Sequence, residues 1–227
     1  MNFQQSEKLA SMKGIVHGYA DRHTGTDISQ IEERFNLSKV AQLKQIHSGD
    51  VIILDEIASH NNSREGDALI TRLKGTAIGI RTADCVPILI ADKNRSVVAA
   101  VHAGWRGTYL EIAVNTINLI QSEYGIAPSD LTAVIGPSIK KCCYEVGEDV
   151  AVMFKDKFDE TGQILSQKGQ SKYLLDLCLA NKLWLQKAGV VDVGFLDICT
   201  KCDDNFYSYR REGKGVSTQL SFIALTP

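Results

Sequence analysis

Three short stretches carry residue types that chemistry, rather than packing, calls for. The first is Gln45-Ile46-His47-Ser48-Gly49-Asp50, at the end of a strand, where strand periodicity sets Gln45 and His47 on one face and Ile46 on the other. The second, Arg81-Thr82-Ala83-Asp84-Cys85-Val86-Pro87, is a polar break between two apolar strands. In the third, Val101-His102-Ala103-Gly104-Trp105-Arg106-Gly107, a strand gives way to a helix. If His47, Cys85 and His102 meet, two imidazoles and a thiolate suit Zn²⁺ and leave its fourth position open for water or substrate. An ion held this way lowers the pKa of a water and polarises a substrate atom. Their separations match no compact zinc pattern, however. From the residues alone the plainer reading therefore stands beside it: hydrogen-bonded histidines and a buried, inert cysteine.

Gly104 and Gly107 let the backbone approach a ligand closely, and the helix that follows offers free N–H groups. Arg106 adds a fork suited to phosphate or carboxylate. Neither glycine spacing fits a phosphate loop or a dinucleotide fingerprint, and a tight turn with a solvent-facing arginine is an equal alternative. The remaining cysteines compete poorly. Cys199-Thr200-Lys201-Cys202 has CxxC spacing, but a structural zinc site needs two more ligands. Cys142-Cys143 would supply them only with strained geometry, and Cys178 falls on an apolar helix face, so these cysteines are expected to be structural. His17, His23 and His60 lack ligand-like company and are expected at the surface or in the core.

The elements that must position these groups are short strands and a few helices. Strands are expected at Val40–Ile46, Val51–Leu54, Thr76–Arg81, Pro87–Ala91 and Val97–Val101, with later ones at Thr132–Ile135, Val193–Ile198 and Gln219–Leu225. Lys93-Asn94-Arg95 separates two of them by so little that a hairpin follows. A helix is predicted from Gly107 to Tyr124, stopped by Gly125, with Leu110, Ala113, Val114, Ile117 and Ile120 on one face. Further helices are expected over Lys172–Lys187 and Glu148–Lys157. Hairpins followed by helices, rather than strict alternation, point to an α+β fold.

Composition sets the outer bounds. The 227 residues, 44% apolar and 23% charged, suit one domain spanning 1–227, without linker or repeat. A formal net charge of -2, with no block of like charge, gives no sign of a nucleic-acid-binding surface. The polar N-terminus lacks a signal-peptide core, and no apolar run could span a bilayer. The expectation is a cytoplasmic protein without a membrane partner, in which six cysteines are more naturally metal-bound, catalytic or buried than paired.

Taken together, Gln45-Ile-His47-Ser, Thr82-Ala-Asp-Cys85-Val-Pro and Val101-His102-Ala-Gly-Trp-Arg-Gly107 resemble the laccase-domain family of bacterial multicopper polyphenol oxidoreductase-like proteins. That family is better described as zinc-dependent purine nucleoside phosphorylases with adenosine deaminase activity. Gly66-Asp67-Ala68-Leu69, Ile135-Gly136-Pro137-Ser138-Ile139, Cys142-Cys143-Tyr144-Glu145-Val146, Cys199-Thr200 and Phe206-Tyr-Ser-Tyr-Arg210-Arg211 match in family order. The resemblance implies that His47, Cys85 and His102 are zinc ligands and catalytic residues, in stacked mixed sheets flanked by helices. It also implies that Arg22, in His17-Gly-Tyr-Ala-Asp-Arg22, lies near the substrate. Two departures stand out: His23-Thr-Gly-Thr replaces a more glycine-rich segment, and Ser217-Thr218-Gln219 replaces a common Gly-Arg-Gln.

The function implied is binding of a purine nucleoside and inorganic phosphate beside the metal. Arg22 and Arg106 are the candidates to hold the anion. Asp84 is a candidate proton shuttle, or else a turn carboxylate satisfying nearby N–H groups. Ser138 either lines the pocket or caps the next segment. Rival readings are a copper-dependent polyphenol oxidase, a cysteine or zinc hydrolase such as an amidase with Cys85 as nucleophile and His102 as base, and a zinc-stabilised interaction module. One Cys and two His do not build the several copper sites an oxidase would need.

Overall fold

The structure is a computed structural model that describes residues 3–24, 28–56, 63–158 and 163–227; Gly25, Thr26 and His60 fall outside them. The strands are β1 (Ile15–Tyr19), β2 (Lys39–Ala41), β3 (Val51–Leu54), β4 (Ala68–Thr71), β5 (Thr76–Thr82), β6 (Val86–Asp92) and β7 (Val98–Ala103). They continue with β8 (Leu131–Ile135), β9 (Glu145–Gly147), β10 (Leu165–Gln167), β11 (Lys172–Leu175), β12 (Asp192–Phe195) and β13 (Gln219–Leu225). The helices are α1 (Glu7–Ala10), α2 (Ile28–Phe35), α3 (Trp105–Tyr109), α4 (Ile112–Tyr124), α5 (Glu148–Phe158), α6 (Leu177–Lys187) and α7 (Tyr209–Glu212).

A mixed six-stranded sheet, β12-β8-β6-β7-β4-β3, stacks on a four-stranded sheet, β1-β13-β5-β2; β10-β11-β9 forms a small third sheet. Strand periodicity explains the layering. In β6 and β7, Ile88, Ile90, Ala99 and Val101 join Ile117, Ile120, Trp184 and Leu185 of the helices on one face. Leu89, Ala91, Val98 and Ala100 join Ile78, Ile80, Ile223 and Leu225 of the smaller sheet on the other. A sheet covered on both faces needs unbroken apolar strands, and every residue of β6 and β7 is buried. The result is the α+β fold of stacked mixed sheets with flanking helices that the sequence implies. Among the described residues no helix is long and apolar enough to cross a membrane.

Several boundaries differ from the sequence pattern, each for a physical reason. The helix expected from Gly107 to Tyr124 is two: α3 begins earlier, and the chain breaks at Glu111, which is left-handed at φ 61°. The break turns Leu110 outward, leaving it 48% exposed. Gly125 ends α4 in the left-handed conformation expected of it, at φ 66°. Residues 172–175 form a strand rather than a helix start, with Tyr173 and Leu175 facing inward. Asp176 then caps α6 by accepting a hydrogen bond from the Leu179 N–H. The strand expected from Val40 to Ile46 ends at Ala41 because the Gln45 side chain takes over the pairing. Its amide donates to the Arg81 carbonyl at 2.8 Å and accepts from the Arg81 N–H at 2.7 Å. The strand expected at Val193–Ile198 runs only over β12.

His17, on β1, is 1% exposed and accepts a hydrogen bond from the Ser6 N–H at 2.9 Å through Nε2. Burial disfavours its charged form and lowers its pKa to about 4. The unfolded chain therefore binds the extra proton first, so stability present above pH ~6.5 is lost as pH falls toward 4. Denaturant titrations at pH 7 and 4.5 should show the wild type losing about 2–3 kcal/mol more than His17→Gln. Equal losses in the two proteins would refute this.

Candidate active site

The hairpin of β6 and β7 brings two of the three candidate ligands together by register alone. Cys85 immediately precedes β6, and His102 stands opposite Pro87, two residues further on. The third, His47, sits on the loop beyond β2 with a left-handed backbone, φ 60°. Asp84 beside Cys85 is also left-handed, φ 89°. Such conformations in non-glycine residues cost on the order of 1–3 kcal/mol and persist only where surrounding contacts enforce them.

For His47 the enforcing contact is Asp67. Continuing the β4–β7 register one step past Ala68–Val101 sets Asp67 opposite His102. The fully buried Asp67 carboxylate accepts the N–H groups of Ile46 at 3.2 Å, His47 at 3.0 Å and Ser48 at 2.7 Å, and the Ser48 hydroxyl at 3.1 Å. It also meets His102 Nδ1 at 2.7 Å. Burial works against the charge on Asp67. The hydrogen bonds from His102 and from the Ser48 and Ile46 backbone outweigh it, holding the pKa at about 2. With Nδ1 directed at a carboxylate, His102 offers Nε2 to the site.

The ligand atoms of His47, Cys85 and His102 lie within 4.8 Å of one another, with Cys85 Sγ 4.0 Å from His47 Nε2. The two imidazole rings meet edge to face, centroids 4.8 Å apart. Burial disfavours the Cys85 thiolate, but the charge and hydrogen bond of His102, then His47, bring its pKa down to about 6. His102 is opposed by the same burial and raised to about 9 by Cys85 and Asp67. The donor set fits a metal ion. Tetrahedral Zn²⁺, at about 2.3 Å to sulfur and 2.0–2.1 Å to nitrogen, holds such atoms roughly 3.5 Å apart. Gly104 keeps the space clear, since a Cβ there would stand 3.1 Å from both Cys85 Sγ and His47 Cδ2.

The group opens into a cleft of about 800 Å³, within the range of small-molecule sites. Arg81, Arg106 and Arg210 line it together with Trp105, Tyr144 and Tyr209. The guanidinium of Arg106 lies 4.6 Å from the Trp105 ring and that of Arg210 lies 4.9 Å from the Tyr144 ring.

Of the other residues singled out by sequence, Arg106 and Asp84 line the cleft, and Arg22 and Ser138 do not. The Asp84 carboxylate accepts the Thr200 hydroxyl at 2.7 Å and the Arg210 N–H at 2.6 Å. Its geometry is that of the turn carboxylate, fastening two loops to the cleft wall. The Arg22 guanidinium bonds Glu212 and lies over the Tyr207 ring. Ser138 is fully buried, its hydroxyl 3.1 Å from Cys178 Sγ and 3.3 Å from the Gly136 carbonyl. Asp67, Arg81, Tyr144 and Arg210 carry no role in the sequence reading. For Asp67 the available signal is an acid at the head of an otherwise apolar strand, where only a buried partner accounts for it.

The chain matches the family described as multi-copper polyphenol oxidoreductase laccase over residues 20–226. It is 38% identical over 201 residues to a purine nucleoside phosphorylase of Clostridium acetobutylicum, covering 87% of this chain and 81% of that protein. It is 36% identical over 189 residues to the adenosine deaminase RL5 of an unknown prokaryotic organism, covering 78% and 72%. The crystal structure of YlmD from Geobacillus stearothermophilus superposes with a TM-score of 0.90 at 27% identity, covering 99% of both chains. A match this continuous, on a shared fold, makes this chain a member of the multi-copper polyphenol oxidoreductase laccase family.

Proposed function

We propose that the chain is a zinc-dependent purine nucleoside phosphorylase, with residues 1–227 acting as one cytoplasmic catalytic domain. Adenosine, inosine, guanosine or methylthioadenosine would react with inorganic phosphate to give the free base and the sugar 1-phosphate, and adenosine would also be deaminated to inosine. The relatives' names support the enzyme class. The observation that carries the reading is the meeting of three arginines with an open His/Cys/His group in one cleft.

In phosphorolysis the bond from the sugar's anomeric carbon to the base nitrogen breaks. A phosphate oxygen bonds that carbon, and the departing base takes up a proton. The sugar is cation-like between these events, so the cleft must hold an anion close to it. Arg81, Arg106 and Arg210 supply planar, permanently charged forks for that purpose. Tyr144, Tyr209 and Trp105 offer rings against which a purine packs. Arg22 and Ser138 lie outside the cleft lining. Bound Zn²⁺ would supply Lewis-acid polarisation and an activated water for deamination. Zinc rather than copper suits two imidazoles and a thiolate with an open position. A multicopper oxidase needs further copper sites, and the other ligand cluster among the described residues is four cysteines without a histidine.

One observation favours a second reading. Cys85 stands beside His102, and His102 Nδ1 meets the Asp67 carboxylate at 2.7 Å, the residue types of a metal-free cysteine hydrolase, the amidase class included. His47 then has no task. The test is mass-spectrometric product analysis of zinc-loaded protein given adenosine, inosine and methylthioadenosine, with and without phosphate. Phosphate-dependent release of free base, and inosine from adenosine without phosphate, are expected. Unchanged nucleosides with folded, zinc-replete protein would reject the proposal and direct the search to amide substrates.

A further inference from the structure

Four of the remaining cysteines meet, contrary to the strain expected of the adjacent pair. Cys142 and Cys143 lie in a turn closed by the Cys143 and Tyr144 N–H groups on the Lys140 carbonyl, at 2.9 and 3.0 Å. Cys199 and Cys202 lie in a second turn, closed by the Cys202 and Asp203 N–H groups on the Cys199 carbonyl at 3.1 and 3.0 Å. A backbone bridge between Ser138 and Cys199 holds the two turns side by side. All four sulfurs fall within 4.8 Å of one another. Cys142 Sγ is 3.7 Å from Cys143 Sγ, 3.8 Å from Cys199 Sγ and 4.0 Å from Cys202 Sγ, and Cys143 Sγ is 3.2 Å from Cys202 Sγ.

We propose that Cys142, Cys143, Cys199 and Cys202 bind a second zinc ion, in a closed structural site distinct from the centre at His47, Cys85 and His102. Four sulfurs at about 2.3 Å around a tetrahedral ion stand about 3.8 Å apart, close to the separations that Cys142 makes. Paired disulfides would use the sulfurs two by two, whereas Cys142 Sγ stands at nearly equal distances from the other three. The Lys140 N–H approaches Cys199 Sγ at 3.5 Å, an N–H···S contact of the kind that supports a metal-bound thiolate.

The position gives this ion a structural task. Tyr144, next to Cys143, lines the cleft, and Thr200, next to Cys199, holds the Asp84 carboxylate. An ion joining the two turns fixes that wall while leaving no position open for a substrate.

The experiment is zinc counting by plasma mass spectrometry on the reduced full-length chain, in wild type, Cys85→Ala and the double variant Cys142→Ser/Cys202→Ser. Two zinc ions per chain are expected in the wild type and one in each variant. Cobalt-loaded Cys85→Ala should show the intense visible bands of a four-thiolate ion, a reading that stands even if the double variant does not fold. Zinc-free Cys85→Ala protein, a double variant that keeps the wild-type count, or a Cys143–Cys202 disulfide in the intact mass would each overturn the proposal. Nucleoside turnover is not read here, so failure of the active-site reading is told apart by the count in Cys85→Ala.

Discussion

Cys85→Ala should release the metal held with His47 and His102 and lower kcat/KM for purine nucleosides by at least about 10³-fold. A bound metal contributes several kcal/mol of transition-state stabilisation, and each 1.36 kcal/mol is about tenfold in rate. The fold should survive, because Cys85 is only partly buried and lies just outside β6. Circular dichroism, metal content and initial rates measured on one preparation decide the matter. Cys85→His separates the two chemistries. A replacement ligand should hold zinc and restore part of the activity, whereas a nucleophile replaced by imidazole restores nothing of a cysteine mechanism. Full activity in metal-free Cys85→Ala would sink both readings.

Asp67 should be nearly as sensitive without touching substrate. It is a positioning residue: it orients His102 through Nδ1 and holds the strained loop of His47 through three backbone N–H groups. Replacing such a partner of a ligating histidine costs about 10–100-fold in metal affinity or activity. Asp67→Asn should therefore bind zinc more weakly by that factor and recover much of its rate when zinc is in excess. A loss of structure alone would not be rescued this way. Asp67→Ala strands several buried donors at about 1–3 kcal/mol each and should also lower thermal stability. Unchanged zinc affinity in Asp67→Asn would refute the positioning role.

Much of this was legible in the residues. Continuous apolar runs around Pro87–Ala91 and Val97–Val101, split by Lys93-Asn94-Arg95, dictate the central hairpin and with it the closeness of Cys85 and His102. The stacking of sheets follows from strands buried on both faces. What stayed hidden depends on partners far away in the chain. The Gln45 side chain replaces a strand, Glu111 breaks a helix while pairing with Lys157, and the two cysteine pairs meet across more than 50 positions of chain. Single-sequence periodicity reports which face a residue takes, not which distant loop will meet it. The same holds for Arg22 and Ser138. Their motifs are legible, whereas their exclusion from the cleft depends on Glu212 and Cys178.

The last strand, β13, lies inside its sheet, between β1 and β5. During synthesis His47, Asp67, Cys85 and His102 all leave the ribosome before residue 103, so the candidate metal-holding group is available before β8 to β13 are made. The sheet behind it cannot close until residues 219–225 arrive and β13 slots between strands already waiting. Nascent chains thus expose two unpaired strand edges until β13 has emerged, and a chain truncated before Gln219 would leave them open permanently.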